Sequence, residues 1–195
     1  MRNYVKFPFQ FDAALLEADL EKVEPDEWIK HFNQYNYEGN WSVASLRSNG
    51  GKTKQIYPDP HSPDDFQDTE ILARCAYVRE VLDAVKCEKE AVRFMLLGAG
   101  ARIKEHKDFF MGFEDGVIRL HIPVTTNPQV EFYLNNERVA MQAGELWYLD
   151  FSQKHRVENQ GATDRIHLVL DCKVSDWLIE QIQGEKAATV AVKNL

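Results

Sequence analysis

Hydrophobic positions follow one period in the first half of the chain and another in the second half. From residue 68 to residue 85 they recur every three or four residues, which predicts an amphipathic helix. A similar spacing over 11–23, with Asp12 as a suitable N-cap, predicts an earlier helix. Pro25 then indicates the start of a second, short helix. We therefore expect residues 1–90 to be mostly helical, with irregular stretches.

The irregular part of this first half has a clear composition. Residues 36–66 are rich in Gly, Asn, Asp and Pro, and only the stretch 41–46 predicts a strand. The segment YPDPHSPDD is expected to be a loop, because its three prolines prevent a helix and interrupt a strand ladder. From residue 91 onward the hydrophobic period changes to two, as β-strands require.

Turn residues, including the Asn-Asn pair in YLNNERV, divide the second half into short strands. These strands, with a closing helix at 174–183, predict a mainly β fold with flanking helices, either an antiparallel barrel or a jelly roll. We expect one domain, made of an N-terminal part (1–90), a jelly-roll core (91–172) and a C-terminal helix with a fraying tail (173–195). The predicted strands are Ala91–Leu97, Arg102–Glu105, Val117–Val124, Val130–Leu134, Arg138–Met141, Glu145–Asp150, Arg156–Glu158 and Arg165–Cys172.

Composition narrows the class of protein. Of the 195 residues, 44% are hydrophobic and 28% are charged, which is typical of a soluble globular protein. A net charge of -8 argues against a general surface for nucleic acid or anionic membrane, although it permits a small positive pocket. No apolar run is long enough to span a membrane, and the three cysteines lack metal-ligand spacing. We therefore expect a cytoplasmic protein with reduced thiols.

Polar groups interrupt the β region at two places. His106 and Asp108 lie two residues apart, as do Arg119 and His121, so each pair lies on one face of an extended backbone. A His-x-Asp pair alone is weak evidence for a site, because such a pair also caps turns at a protein surface.

The alternation in two strands strengthens the case. In VIRLHIPV, Arg119 and His121 share one face and the aliphatic residues share the other. In RIHLVLD, Arg165 and His167 face away from the aliphatic residues in the same way. We therefore expect the polar faces to line a cavity and the aliphatic faces to pack against the helices.

His155 follows further along the chain, at the start of a strand. Two histidines and one carboxylate on one face of a metal leave its opposite face open, an arrangement diagnostic of non-haem Fe(II) oxygenases. Arg165 opens an apolar strand, where a buried guanidinium needs a partner. It could hold the far end of a dicarboxylate with a two-pronged contact.

The stretches HKD, RLHIP, TNPQVEF, GELWYLDFSQKHRVENQG and DRIHLVLD resemble the bacterial aspartyl/asparaginyl β-hydroxylase family, to which cis-proline hydroxylases are related. The resemblance covers about residues 91–172 and, more loosely, the part of the chain that precedes them. It implies a double-stranded β-helix of cupin-like type and a dioxygenase that depends on Fe(II) and 2-oxoglutarate. Such an enzyme consumes O2, releases succinate and CO2, and hydroxylates an amino acid or a peptidyl residue.

The resemblance also implies a role for individual residues. Arg165 would bind the C5 carboxylate of 2-oxoglutarate. Arg119 and His121 match the Arg-x-His pair of the family, which lines the pocket for co-substrate and substrate. The implied iron ligands are His106, Asp108 and His155.

The substrate is expected to be a small molecule or a peptide, with an Asp-like or Asn-like group ahead of proline. An anionic substrate would need a cation, which Arg119 together with one of Arg47, Arg93 or Arg102 could provide. For each of the last three, a surface ion pair is the alternative. Trp41 could form a wall of the pocket or belong to the core. His167 is expected to form hydrogen bonds or to pack near the site rather than bind the metal.

Two other interpretations remain open at this point. One is a cupin-like zinc or manganese enzyme that uses the same ligands for isomerisation or hydrolysis. The other is a non-catalytic barrel that binds a small acid. His31 and His61 belong to no pattern and receive no role. The substrate, the position and stereochemistry of hydroxylation, and the oligomeric state have no signature in the sequence.

Overall fold

The structure, a computed structural model, describes residues 2–57, 59, 61–62 and 64–192, with side chains as far as residue 184. The three prolines of the predicted loop and the last three residues of the expected fraying tail lie outside these residues. Of the helices within the described ranges, none combines the length and the apolar character needed to cross a bilayer.

Two antiparallel sheets form the body of the protein. The larger sheet has the strand order β1-β11-β8-β13-β6-β4-β2, with β5 paired to β4, and the smaller sheet has the order β10-β9-β12-β7-β3. The strands are β1 (Tyr4–Gln10), β2 (Ile29–Lys30), β3 (Tyr37–Glu38), β4 (Trp41–Asn49), β5 (Phe66–Asp68), β6 (Lys89–Leu97), β7 (Arg102–His106), β8 (Val117–Thr125), β9 (Val130–Leu134), β10 (Glu137–Arg138), β11 (Glu145–Leu149), β12 (His155–Asn159) and β13 (Arg165–Lys173).

The predicted jelly-roll architecture is confirmed. The eight strands expected from residue 91 onward are all present, although the fifth is two residues, Glu137–Arg138, rather than 138–141. Among the described residues no strand pairs with both sheets, so the two sheets face each other without closing into a hydrogen-bonded barrel. The space between them is therefore open at the sheet edges and can hold a cavity.

The two faces of the larger sheet pack against different parts of the protein. Leu120 and Leu168 project from the outer face of the larger sheet into a core that also contains Leu16, Val78 and Leu178 from the helices. A second core lies between the sheets and includes Trp41, Leu97, Phe132, Leu149 and Val157. The predicted packing of the aliphatic faces of β8 and β13 against helices is confirmed.

The helices match the prediction in part. Helix α1 (Ala13–Leu20) begins after Asp12, whose carboxylate accepts a 2.9 Å hydrogen bond from the backbone N–H of Ala14. The continuous helix predicted over 68–85 is wrong, because Cys75, with φ -99° and ψ 79°, separates α2 (Glu70–Arg74) from α3 (Ala76–Ala84). Pro25 starts only a single 3-10 turn, and the closing helix α4 is Asp176–Val192.

The prediction of a mostly helical N-terminal part is also wrong. Strand β1 pairs with β11 at the edge of the larger sheet, and β4 lies inside this sheet between β6 and β2. Val5 and Phe7 are buried while Lys6 is exposed, so the two-residue period is present in β1. Pro8 is compatible with a strand here because an edge strand needs hydrogen bonds on one side only.

Candidate metal centre

Strand pairing creates the first part of the candidate site. His106 is the last residue of β7 and His155 is the first residue of β12, and the two are direct partners in the antiparallel register. Their ring centroids are 4.2 Å apart. Directly opposed positions of an antiparallel pair bring side chains together on one face. Two histidines that are 49 positions apart in the chain thus become neighbours.

The backbone fixes the orientation of both rings. Nδ1 of His106 lies 2.8 Å from the carbonyl oxygen of Lys104, and Nδ1 of His155 lies 3.1 Å from that of Gln153. A carbonyl oxygen only accepts, so each Nδ1 carries the proton and donates it. In the neutral ring each Nε2 then carries a lone pair, as in histidines that bind metals.

Asp108 supplies a carboxylate next to these two nitrogens. Its backbone N–H donates a 3.0 Å hydrogen bond to the carbonyl of Phe151, which holds the residue two positions beyond the end of β7. Its Oδ1 lies 3.4 Å from Nε2 of His106 and 3.9 Å from Nε2 of His155. The three ligand atoms all lie within 4.8 Å of one another. Metal–ligand bonds of about 2.1 Å place neighbouring ligand atoms about 3 Å apart, so a small contraction suits a single ion.

Electrostatics favour the protonation state that a metal requires at His155 and Asp108, but not at His106 while no cation is bound. Burial lowers the pKa of His155 to about 4, so this ring is neutral at pH 7. Burial alone would raise the pKa of Asp108, but Arg119 and the two histidines hold it well below its usual range. The pKa of His106 is raised despite its burial, since its ring contacts the Asp108 carboxylate. If the Asp108 carboxylate bound a cation, it would stabilise the protonated ring of His106 less, and the pKa of His106 would fall.

Behind the carboxylate lies a buried chain of alternating charges. Arg119 donates to Oδ2 of Asp108 at 2.5 Å and to Oδ1 of Asp171 at 2.6 Å. Asp171 also forms an ion pair with Arg93. The side chains of Arg93, Arg119 and Asp171 are largely buried. Arg119 therefore supports Asp108 rather than presenting an unpaired charge to the cavity.

Arg165 differs from Arg93 and Arg119 because it has no ion-pair partner among the described residues. It is 3% exposed, its Nε has no hydrogen-bond partner, and one terminal nitrogen donates to Nδ1 of His167 at 3.0 Å. Burial lowers the pKa of Arg165 to about 9, so it remains charged at pH 7. An uncompensated buried cation is costly, and a bound anion would relieve the cost.

Two further histidines lie next to Arg165 in a chain of hydrogen bonds. Nδ1 of His167 accepts from Arg165, which can only donate, and Nδ1 of His121 lies 3.1 Å from the same nitrogen. The proton between the two histidines therefore belongs to His121, whose buried Nε2 is left as an acceptor without a partner in the part of the chain that the structure describes. The expectation that His167 forms hydrogen bonds near the site is confirmed.

Except for His167, which lies behind Arg165 and His121, these groups line one cavity of about 720 Å³ between the two sheets. Its wall includes the three candidate metal ligands and Arg119, His121 and Arg165. A volume in this range suits a small organic ligand. The arrangement can bind a metal ion at one point and an anion at Arg165.

The four candidate substrate residues fall in different places. Arg47 lines the cavity and pairs with Asp68 at 2.7 Å, while Arg93 is buried and paired with Asp171, so a surface ion pair is the wrong description of Arg93. Arg102 is paired with Glu38 on the surface, away from the cavity lining. Trp41 is both buried and part of the cavity wall.

Sequence reasoning missed two residues of the site. Asp171 neutralises Arg93 and Arg119, yet it lies at the end of the apolar strand β13 without a motif of its own. His31 lines the cavity and stacks on Trp41, with ring centroids 3.6 Å apart. Alternation along β13 places Asp171 on the same face as Arg165 and His167, so the sequence did contain a signal for Asp171. It contained no signal for His31.

A jelly roll with two histidines and one carboxylate converging in its central cavity defines a class of proteins with a candidate 2-His-1-carboxylate metal centre. Within this class, residues 10–174 match the aspartyl/asparaginyl beta-hydroxylase family. The chain belongs to that family. The resemblance noted in the sequence is thereby confirmed.

The relatives include two curated hydroxylases. The chain is 25% identical over 165 residues to L-proline cis-4-hydroxylase of Rhizobium meliloti (strain 1021), an alignment that covers 83% of this chain and 58% of that protein. It is 24% identical over 204 residues to L-proline cis-3-hydroxylase 1 of Streptomyces sp, covering 100% of this chain and 68% of that protein. The chain thus spans less than two thirds of the length of the cis-4-hydroxylase.

A solved structure supports the fold. A Pseudomonas putida prolyl-4-hydroxylase superposes with a TM-score of 0.55 at 16% sequence identity, covering 90% of this chain and 95% of that chain. At this identity the similarity shows a shared fold.

Proposed function

We propose that this protein is an Fe(II)- and 2-oxoglutarate-dependent dioxygenase that hydroxylates an amino acid or a peptidyl residue. The observation that carries the proposal is the unpaired, buried Arg165 in the same cavity as the cluster His106, Asp108 and His155. A group of three metal ligands alone would be compatible with many classes of protein. Three metal ligands that share a cavity with an anion receptor suit a co-substrate that is both a chelator and a dicarboxylate.

The donor set fits iron. Two imidazole nitrogens and one carboxylate oxygen are the ligands of the facial triad, and here these three atoms lie within 4.8 Å of one another. Iron in such a site would supply the chemistry of oxygen activation. Membership of the family and two relatives named as hydroxylases support the same assignment.

The residues of the chain bind and position the reactants. Arg165 would receive the C5 carboxylate of 2-oxoglutarate, since it is the one buried cation among the cavity-lining residues without a carboxylate partner. Arg119 would keep Asp108 ionised and oriented, through its contacts with Asp108 and Asp171. His121 would line the space between metal and arginine. In the overall reaction, substrate, 2-oxoglutarate and O2 give hydroxylated substrate, succinate and CO2.

Succinate release tests the proposal. Protein loaded anaerobically with Fe(II) is mixed with 2-oxoglutarate, ascorbate and air, in the presence of single amino acids or short peptides. We expect succinate above the protein-free control, stimulated by the correct substrate and absent in His155→Ala. Tight zinc with no turnover of 2-oxoglutarate would instead favour the metal-dependent non-oxygenase interpretation.

The substrate is proposed only as a class, a small molecule or a peptide. The relatives are named for proline, and the family for aspartyl and asparaginyl residues. Of the four candidate substrate residues, we retain Arg47, Arg93 and Trp41 as cavity-lining groups and leave out Arg102, which lies outside the lining.

A further inference from the structure

A stack of three rings forms one wall of the cavity. The imidazole of His31 lies parallel to the indole of Trp41, at a centroid distance of 3.6 Å and an angle of 10°. Phe32 also stacks on this imidazole, at 4.6 Å and 26°. Trp41 is 6% exposed and Phe32 is 59% exposed, so the stack leads from the interior to the mouth. The His31 ring is thereby fixed in plane and position.

The backbone also fixes the tautomer of His31. The backbone N–H of Asn33 donates to Nδ1 of His31 at 3.4 Å, so this nitrogen carries a lone pair. Burial, with Arg93 and Arg119 nearby, lowers the pKa of His31 to about 4, and the ring is neutral at pH 7. The single proton of the ring is therefore on Nε2. Among the described residues Nε2 has no hydrogen-bond partner, and His31 lines the cavity.

The charges of the cavity decide what this N–H can bind. Arg47, Arg93 and Arg119 each have a carboxylate partner, and Arg165 is needed for the co-substrate. The remaining cation of the lining, Lys107, lies at the exposed mouth. A carboxylate inside the cavity would thus meet no unpaired cation beyond Arg165.

Glu90 adds a repulsive element. It lines the cavity, and no ion pair involves it in the described part of the chain. Burial and the neighbouring Asp171 raise its pKa from the ordinary value, which indicates that negative charge is already unfavourable in this region. A second carboxylate would be disfavoured, while an uncharged oxygen would not.

The volume of the cavity also leaves room for a substrate larger than a free amino acid. 2-Oxoglutarate has ten non-hydrogen atoms, and even at about 30 Å³ for each, the volume that a water molecule occupies in the liquid, it takes less than half of about 720 Å³. The rest exceeds what a free amino acid of eight or nine such atoms needs. It extends towards the exposed rings of Phe32 and Tyr57, which pack edge to face at 5.8 Å.

We propose that His31 is a substrate-binding residue whose Nε2–H donates a hydrogen bond to an uncharged carbonyl oxygen of the substrate, an amide rather than a carboxylate. The inference rests on the proposed function and specifies the substrate class of the same site. Trp41 and Phe32 hold the imidazole in place, and an apolar part of the substrate covers the outer rings.

Matched pairs of small molecules test this inference. L-Proline and L-aspartate are each compared with the N-acetyl amide of the same amino acid, in protein loaded with Fe(II) and 2-oxoglutarate without oxygen. Binding is measured by the change in tryptophan fluorescence, and turnover by succinate release in air. We expect at least one amide to bind more tightly than its free acid by about tenfold or more.

Variants then assign the preference to His31. His31→Phe keeps a ring in the stack and removes the donor, so the Kd and KM for the amide should rise at least about fivefold, as the loss of a hydrogen bond of about 1 kcal/mol requires. The values for the free acid should not change. His61→Phe, the same substitution in an exposed loop, should leave both ligands unaffected.

The two proposals fail in different ways. If 2-oxoglutarate itself does not bind, the proposed function is wrong. If 2-oxoglutarate binds but the free acids bind as tightly as the amides, if no amide binds, or if His31→Phe weakens acid and amide equally, the inference on His31 is wrong and the proposed function stands.

Discussion

His106 and His155 are direct partners in the antiparallel ladder of β7 and β12, with ring centroids 4.2 Å apart. The register of two strands, rather than a local motif, therefore places two candidate ligands at one point. A slip of one residue in either strand would turn one imidazole to the opposite face. The third ligand, Asp108, is fixed to the same place by the hydrogen bond of its backbone N–H to Phe151.

Removal of one ligand should abolish tight metal binding. His155→Ala leaves one imidazole and one carboxylate, and since loss of an outer-shell contact alone costs about 10–100-fold in metal affinity, we expect a loss of more than about 100-fold. Anaerobic calorimetric titration with Fe(II) measures it. His61→Ala, an exposed histidine outside the cluster, should bind metal as the unaltered protein does. Equal affinity in both variants would show that the three residues are not the metal site.

Arg165→Met should separate stability from co-substrate binding. The substitution removes a buried charge that has no counter-ion, so the free energy of unfolding should rise by about 1–3 kcal/mol. Affinity for 2-oxoglutarate should fall by about 2–5 kcal/mol, since a buried charge pair is lost. Urea unfolding and a binding titration measure the two effects.

Arg102→Met is the matched control for this substitution. Its guanidinium is half exposed and paired with Glu38 at the surface, so neither quantity should change by more than about 1 kcal/mol. A destabilised Arg165→Met variant with normal affinity for 2-oxoglutarate would show that Arg165 has a structural role instead.

Asp171→Asn should destabilise the protein strongly. Asp171 is 6% exposed and neutralises both Arg93 and Arg119, so its loss leaves two buried guanidinium groups without a full counter-charge. We expect a loss of about 3–5 kcal/mol in the free energy of unfolding. Asp68→Asn breaks the more exposed pair with Arg47 and should cost less than about 1 kcal/mol. Similar losses in the two variants would contradict the importance of the buried chain of charges.

Acid should destabilise the metal-free protein through His155. Its pKa is lowered to about 4 in the folded state, against about 6.5 in the unfolded chain, so between these values the unfolded chain binds a proton that the folded one does not. The free energy of unfolding therefore decreases as the pH falls through this window, by about 2 kcal/mol at pH 5. Urea unfolding at about pH 7.5 and about pH 5 measures it. His155→Gln should show a weaker pH dependence, and an unchanged dependence would refute the attribution.

Much of the fold was predictable because it follows from local periodicity. The two-residue alternation after residue 91 identifies strands whose faces differ in polarity, and the structure packs those faces as expected. Strand β1 was missed although Val5 and Phe7 alternate with exposed neighbours, because Lys6 and Pro8 obscure a short edge strand. The break at Cys75 was missed because apolar spacing continues through it and carries no information on backbone angles.

The sequence predicted those residues of the site that belong to recognisable motifs, and it did not predict the others. The cluster of His106, Asp108 and His155 and the burial of Arg165 match the expectation from sequence. His31 and Asp171 were not found, because their roles depend on contacts with Trp41 and with two arginines that are distant in the chain. Sequence spacing reports which face a residue occupies and not which residue lies opposite.

An anaerobic titration of the Fe(II)-loaded protein with 2-oxoglutarate tests the central claim most directly, since chelation of Fe(II) by the keto acid produces a visible charge-transfer band. We predict that the band appears and saturates at one 2-oxoglutarate per chain, requires much higher concentrations in Arg165→Met, and is absent in His155→Ala. If no band forms in the unaltered protein, or if the band is unchanged in both variants, these residues do not hold iron and 2-oxoglutarate.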